Sequence, residues 1–134
     1  HKGVTCKTFT RDLSSQERFV LFDEFLHEQF NVFVVCGTLP VGIKIPNTFI
    51  VVNYQMPIKF IDVPNKGKRT APDDDAYFLQ AQRAGRFGKT GICFTIVTDE
   101  RDEKSLKNCC SNKKLTLNKI DVDKINELPN EQPL

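Results

Sequence analysis

The chain has 134 residues, of which 40% are apolar and 27% charged, a composition that fits one soluble domain with a single buried core. Its net charge of +2 is too small to indicate nucleic-acid binding by itself. The sequence has five cysteines without a C-x-x-C pair and only two histidines, which argues against a metal site and favours a reduced intracellular protein, and no apolar stretch is long enough for a membrane span.

The first half of the chain alternates strand and helix patterns. A weak alternation predicts a strand over Val4–Phe9, and helical spacing of apolar residues predicts a helix over 15–28. Two continuous apolar runs, 32–35 and 48–54, are typical of strands buried on both faces in a parallel sheet. Between them, glycines and prolines predict a loop over 36–47.

The second half continues this alternation after an exposed, cationic segment. The predicted elements are a loop over 59–72, a helix from 73 to about 85, a strand over 92–97, a helix over 100–110, a short strand over 115–117, one or two helical turns over 122–128, and a frayed tail over 129–134. Such an order implies β-α-β units, a parallel sheet and an α/β fold, with sites in the loops at the carboxyl ends of strands.

Polar and apolar residues within the helices predict their starts and their buried sides. Ser14 and its neighbours are good N-caps for the first helix, and Phe19, Phe22 and Phe25 are spaced as core residues. The core residues expected in the later helices are Tyr77, Phe78, Ala81, Leu106, Cys109 and Cys110.

The segment 82–91, Q-R-A-G-R-F-G-K-T-G, is the first candidate site. Arg83 and Arg86 are three residues apart and would share one side of a helical turn, where two guanidinium groups suit phosphate oxygens. A helix end capped by Gly85 or Gly88, with cations complementing the helix dipole, explains the same pattern equally well. A second candidate is Lys59–Arg69, whose cations suit RNA, a protein partner or simply a solvated loop.

The first candidate segment resembles motif VI of the DEAD-box ATP-dependent RNA helicases, whose common form is H-R-x-G-R-x-G-R. Three further segments resemble that family in the right order: 13–18, 45–57 and 96–100. The resemblance implies a RecA-like three-layer sandwich with a mostly parallel central sheet. The family's first strand and helix, with motif IV, have no counterpart, so residues 1–134 are expected to form an N-terminally truncated C-terminal RecA-like domain. The long segment before motif VI is most similar to the messenger-RNA-export branches.

The resemblance also implies ligands and roles for particular residues. ATP and Mg²⁺ would bind mainly to a separate N-terminal RecA-like domain, and Arg83 and Arg86 would act as catalytic residues on the γ-phosphate. Gly42 and Lys44 complete the expected nucleotide-binding set, while the expected RNA-binding residues are Arg18, Cys36, Gly37 and Gly42. The implied partners are single-stranded or duplex RNA, the N-terminal domain and a regulatory protein, in the nucleus or cytoplasm.

Several positions depart from the family pattern. Lys44 replaces an aspartate of motif V, and Leu79 and Gln80 replace the histidine and first arginine of motif VI. Because lost transition-state contacts lower rates by orders of magnitude, an alternative function stays open. That alternative is a degenerate helicase-like module that binds RNA or protein without hydrolysing ATP.

Overall fold

The computed structural model describes residues 3–37, 39, 45, 48–85, 88 and 90–127. Gly42, Lys44, Arg86 and the tail over 129–134 therefore lie outside the described residues. The elements in chain order are β1 (Cys6–Phe9), α1 (Ser15–Leu26), β2 (Val32–Val35), β3 (Ile50–Asn53), β4 (Ile58–Val63), β5 (Gly67–Pro72), α2 (Asp74–Ala81), β6 (Ile92–Thr95), α3 (Glu100–Asn112) and a 3-10 helix (Val122–Glu127). No helix in this part of the chain is both long and apolar enough to cross a membrane.

The strands pair as the sequence predicts for an α/β fold. β1 pairs with β2 in parallel, with Cys6 opposite Val32, and β3 pairs with β6 in parallel, with Ile50 opposite Ile92. The remaining pair, β4 and β5, is antiparallel. Parallel pairing places the carboxyl ends of both strands at the same edge of each sheet, where ligand sites are common.

The chain divides into two compact units, His1–Pro46 and Asn47–Leu134. The core of the first unit is a cluster of phenylalanine rings whose centroids lie between 5.0 and 6.0 Å apart, mostly in edge-to-face arrangements. Its members are Phe9, Phe22, Phe25, Phe30 and Phe33. Phe22 and Phe25 thus occupy the predicted core, whereas Phe19 is 73% exposed and its prediction was wrong.

The core of the second unit lies between α2 and α3. It contains Met56, Tyr77, Leu106, Cys109 and Cys110, with Ala81 packed against them. The three buried α3 residues are those predicted from their helical spacing, and the burial of Tyr77 is also confirmed.

Helix ends are set by specific side chains. Ser14 caps α1 in a capping box, accepting from the Glu17 amide while the Glu17 carboxylate accepts from the Ser14 amide. Asp73 caps α2, and Asp99 caps α3. α3 ends with Lys114 at a φ of 55°, and the Leu115 amide donates to the carbonyl oxygen of Cys110. This Schellman closure ends the helix, and the predicted strand over 115–117 does not form.

The predicted loop over 59–72 is wrong, because this segment forms the hairpin β4–β5. Pro64, Asn65 and Gly67 were interpreted as loop residues, but they form only the tight turn, in which Asn65 and Gly67 adopt φ values of 61° and 72°. The prediction of burial on both faces of β2 and β3 is also wrong for the described chain. Val34 and Val52 are 42% and 57% exposed.

Candidate functional site

Arg18 lies on the first turn of α1 and reaches back to the carboxyl edge of the β1–β2 sheet. Its Nη2 donates to the carbonyl oxygen of Arg11 at 2.6 Å, and its guanidinium carbon lies 5.5 Å from the centroid of the Phe9 ring. The Nε atom is buried and has no hydrogen-bond partner among the described residues. A part-buried guanidinium held in this way fixes the β1–α1 loop and keeps a positive charge at the sheet edge.

Cys36 and Gly37 follow β2 directly at the same edge. The Cys36 amide donates to the carbonyl oxygen of Phe9 at 2.9 Å, which extends the parallel ladder beyond the last strand residue. Gly37 has a φ of 104°, and a Cβ built on it would lie 3.4 Å from Nε of Arg11. The structure therefore brings three predicted RNA-binding positions, Arg18, Cys36 and Gly37, to one edge, while Gly42 lies outside the described residues.

Arg11 is the residue of this edge that the sequence prediction missed. Its side chain is exposed, lies beside the open backbone of Gly37, and belongs to the loop whose carbonyl Arg18 holds. The available signal was its place in the loop directly after β1, since such loops at the carboxyl ends of parallel strands carry ligand contacts. We name the group Arg11, Arg18, Cys36 and Gly37 the edge cluster. It presents the exposed Arg11 guanidinium next to Gly37, with the part-buried Arg18 guanidinium holding the loop that carries Arg11.

In the second unit, the chain turns sharply between α2 and β6. The Gly85 amide donates to the carbonyl oxygen of Thr48 at 3.1 Å, and Gly85 has a φ of 68°. A Cβ on Gly91 would overlap backbone atoms of Ala84 and Gly85, so two stretches of backbone cross here at a distance that only glycine permits. We name the described residues 82–85, 88, 90 and 91 the glycine turn.

Arg83 lies in the glycine turn immediately after α2, which ends at Ala81 with Gln82 as its cap. Its amide donates to the carbonyl oxygen of Gln80 at 3.1 Å, and its side chain is half-buried. Both sequence interpretations of this segment keep support, since a helix end and a cation occur together here. The predicted pairing of Arg83 with Arg86 lies outside the described residues.

The packing beneath the glycine turn fixes α2 on β6. The hydroxyl groups of Tyr77 and Thr95 are hydrogen-bonded at 2.9 Å, and Asn53 Nδ2 donates to Sγ of Cys93 at 3.5 Å. Burial raises the pKa of Tyr77 to about 12 and that of Cys93 to about 11, so both groups are neutral near pH 7. These side chains serve packing rather than proton transfer.

Leu79, at the position of the family's motif VI histidine, is 43% exposed on α2. An aliphatic side chain there supplies neither a hydrogen bond nor a charge. The structure thus retains a cation at Arg83 but has no polar side chain at position 79.

Comparison with known proteins decides the family. The family described as the helicase conserved C-terminal domain matches residues 1–91. The chain belongs to this family. Among relatives, it is 34% identical over 106 residues to the ATP-dependent RNA helicase DBP5 of Candida glabrata, covering 79% of this chain and 19% of that protein. It is 31% identical over 106 residues to the DEAD-box ATP-dependent RNA helicase 38 of Oryza sativa subsp. japonica, covering 79% of this chain and 20% of that protein.

Solved structures agree with this helicase C-terminal domain assignment. The C-terminal domain of the DEAD-box protein Dbp5 matches with a TM-score of 0.75 and 26% identity over 95% of this chain and 68% of that chain. S. cerevisiae Dbp5 bound to RNA and ADP BeF3 matches with a TM-score of 0.76 and 26% identity over 92% of this chain and 30% of that chain. The predicted DEAD-box relationship and RecA-like fold are confirmed. The chain spans about a fifth of the length of the curated relatives it matches.

Proposed function

We propose that this chain is the part of an ATP-dependent RNA helicase that closes on ATP held by a separate N-terminal RecA-like domain and grips the RNA backbone. The observation that carries the proposal is the edge cluster. It places the Arg11 guanidinium beside Gly37 and the Arg18 guanidinium on the Arg11 carbonyl oxygen, at the carboxyl edge of a parallel sheet. The relatives' names and the RNA-bound Dbp5 structure support this reading.

The edge cluster has the chemistry of a contact to phosphate rather than to a base. Guanidinium groups bind phosphate oxygens through paired N–H donors, and the missing side chain at Gly37 lets a nucleic-acid backbone approach the protein closely. Contacts of this kind carry little sequence information, as expected for a helicase that acts on RNAs of different sequence.

The glycine turn fits the γ-phosphate of ATP. ATP supplies a phosphoryl group whose negative charge is complemented by arginine side chains. Arg83 provides such a cation at the end of α2, and the crossing of Gly85 and Gly91 holds the turn in one shape. Following the family resemblance, we assign Mg²⁺ mainly to the separate N-terminal RecA-like domain.

A regulatory protein partner and a role in messenger-RNA export complete the proposal. A solved S. cerevisiae Dbp5 variant that resembles this chain, with a TM-score of 0.73 and 26% identity, is bound to a Gle1 variant and IP6. The sequence resemblance to the messenger-RNA-export branches points to the same role in the nucleus or cytoplasm.

The competing function is a helicase-like module that binds RNA or protein without hydrolysis. The exposed Leu79, at the position of the family's motif VI histidine, favours it, because the hydrogen bond that a histidine would make there is lost. The two functions differ in turnover and not in RNA binding, so a rate measurement separates them.

The test is RNA-stimulated ATP hydrolysis by the full-length protein, compared with Arg83→Ala and Arg86→Ala. If the arginines act on the γ-phosphate, each substitution lowers the maximal rate by about 100-fold or more. Arg101→Ala removes an exposed arginine of α3 and is expected to leave the rate unchanged. A wild-type protein that binds RNA but shows no turnover would establish the binding module instead.

A further inference from the structure

The hairpin β4–β5 carries an unusual combination of exposed groups. Phe60 is 73% exposed, and Lys68 and Arg69 on the facing strand are exposed as well. The hairpin segment contains four cations and a single acid, namely Lys59, Lys66, Lys68, Arg69 and Asp62. Ile58 and Ile61 of the hairpin are exposed together with Phe60, and such a group of exposed apolar side chains indicates a contact surface.

The hairpin cations form no salt bridge among the described residues, although Asp62 lies opposite Lys68 in the strand register. Lys59 lies near Asp75 at the base of the hairpin, where α2 begins with three consecutive aspartates. The positive potential is therefore strongest in the half of the hairpin around Lys66, Lys68 and Arg69.

The hairpin presents these groups on a defined backbone. Six register pairs join its strands, from Ile58 opposite Pro72 to Val63 opposite Gly67. The Lys66 amide donates to the carbonyl oxygen of Val63 at 3.0 Å and closes the turn, while the Asp73 amide donates to the carbonyl oxygen of Pro57 at 2.8 Å and closes the base. A preorganised surface loses less conformational entropy on binding than a flexible loop does.

The hairpin also begins close to a sheet edge at which ligands commonly bind. It follows the carboxyl end of β3, which is parallel to β6, and the connecting residue Tyr54 is 77% exposed. Ligands of open α/β sheets bind at this edge.

We propose that the hairpin is a second contact for single-stranded RNA, in which a base stacks on Phe60 and backbone phosphates pair with Lys66, Lys68 and Arg69. This inference rests on the proposed RNA-helicase function and adds a separate binding surface to it. An exposed aromatic side chain among cations is the combination that binds single-stranded nucleic acid without sequence preference.

Charge placement favours RNA over an acidic protein segment. Residues opposite one another in the register share a side of the hairpin, so Lys68 lies on the side of Phe60, Arg69 lies on the other side with Ile61, and Lys66 lies in the turn. The cations thus surround the tip instead of bordering one apolar groove, as an amphipathic acidic peptide would require. A flexible polyanion can follow such an arrangement around the tip.

The test compares affinities of the full-length protein for labelled oligouridylates of about 6 and about 20 nucleotides, measured by fluorescence anisotropy at several salt concentrations. One variant is Phe60→Ala and another is Lys68→Gln with Arg69→Gln. A third replaces residues 60–70 by Asn-Gly, a two-residue turn that joins the paired residues Lys59 and Ala71. The matched control is Arg101→Gln with Lys104→Gln, which removes two exposed charges from α3.

We expect the long RNA to bind about 5- to 10-fold more weakly to Phe60→Ala. The double charge variant should lower the slope of log affinity against log salt by about 1.4, since each single-strand phosphate contact contributes about 0.7. The short RNA, occupying the edge cluster, should bind all hairpin variants and the control like the wild type.

An unchanged affinity of the truncated hairpin for the long RNA would overturn the inference, as would an equal loss for both RNAs. Retained RNA affinity with loss of an acidic protein partner would assign the surface to that partner and also overturn it. If the wild type binds neither RNA, the proposed function itself fails, and the inference fails with it.

Discussion

The edge cluster and the glycine turn are both candidate sites, and they differ in position: the edge cluster lies where β1 and β2 end, whereas the glycine turn lies between α2 and β6. The edge cluster is made by side chains, since Arg18 holds the Arg11 carbonyl and packs on Phe9. The glycine turn is made by backbone, since the Gly85 amide binds Thr48 and Gly91 crosses Ala84 and Gly85 without a side chain. In the edge cluster a substitution therefore removes side-chain contacts, whereas at Gly91 in the glycine turn any side chain would overlap backbone atoms.

The largest effect is expected from Gly91→Ala. The added Cβ would overlap backbone atoms of Gly85, which cannot move aside like the end of a flexible side chain, so we expect a loss of about 3 kcal/mol in the free energy of unfolding. Urea denaturation measures this loss. The comparison variant is Gly88→Ala, where φ is 79° but the space is open, with an expected loss of about 1 kcal/mol. A smaller loss for Gly91→Ala than for Gly88→Ala would contradict the backbone crossing.

Arg18→Ala is expected to cost less, about 2 kcal/mol of unfolding free energy, because it removes a charge-assisted hydrogen bond and a cation–π contact. The same substitution should weaken RNA binding at the edge cluster. Arg18→Lys keeps the charge but not the planar donor group, so its free energy of unfolding should fall between those of the wild type and Arg18→Ala. If Arg18→Ala changes neither the free energy of unfolding nor the RNA affinity, Arg18 does not belong to the site.

Tyr77→Phe tests the support under the glycine turn and should cost about 1 kcal/mol through loss of the hydroxyl contact with Thr95. Because burial raises the pKa of Tyr77 from 10.0 to about 12, the buried hydroxyl resists ionisation. Its contribution to stability is complete below pH 10 and is lost as the pH rises toward 12. The stability difference between wild type and Tyr77→Phe should therefore shrink as the pH rises from 10 toward 12. A difference that stays constant over this range would argue against a buried hydroxyl at Tyr77.

The smallest expected effect is at the capping box of α1. Hydrogen bonds from Ser14 hold the pKa of Glu17 below its ordinary value of 4.5, so the carboxylate stabilises the folded state above that pH and this contribution is lost as the pH falls through the lowered pKa. Ser14→Ala should lower stability at neutral pH and flatten the acid dependence measured by denaturation. If stability falls with acid in the same way in the wild type and in Ser14→Ala, the pKa of Glu17 does not depend on Ser14.

Local signals in the sequence predicted much of this fold. Ser14 and the aspartates before α2 marked helix starts, and the apolar runs predicted β2, β3 and β6, because caps and strand patterns depend on neighbours in sequence. The hairpin β4–β5 was missed because Pro64 and Asn65 signal a turn but do not show whether the flanking residues pair. Phe19 was placed in the core because helical spacing alone does not show which side of α1 is covered.

Most of the candidate site was predicted from the family resemblance, which supplied Arg18, Cys36 and Gly37. Arg83 was predicted also from its spacing to Arg86 in a glycine-rich segment. Arg11 was not, because its importance depends on the three-dimensional approach of its guanidinium to Gly37, 26 positions later in the sequence. Long-range contacts of this kind leave no local pattern.

The central claim is that the edge cluster binds RNA while the glycine turn acts on ATP. The most direct measurement is the rate of ATP hydrolysis by the full-length protein as a function of single-stranded RNA concentration. Arg11→Ala should raise the half-saturating RNA concentration about 10-fold and leave the maximal rate unchanged, whereas Arg83→Ala should lower the maximal rate at saturating RNA. If Arg11→Ala leaves the RNA dependence unchanged, or if Arg83→Ala retains the full rate, this division of roles is wrong.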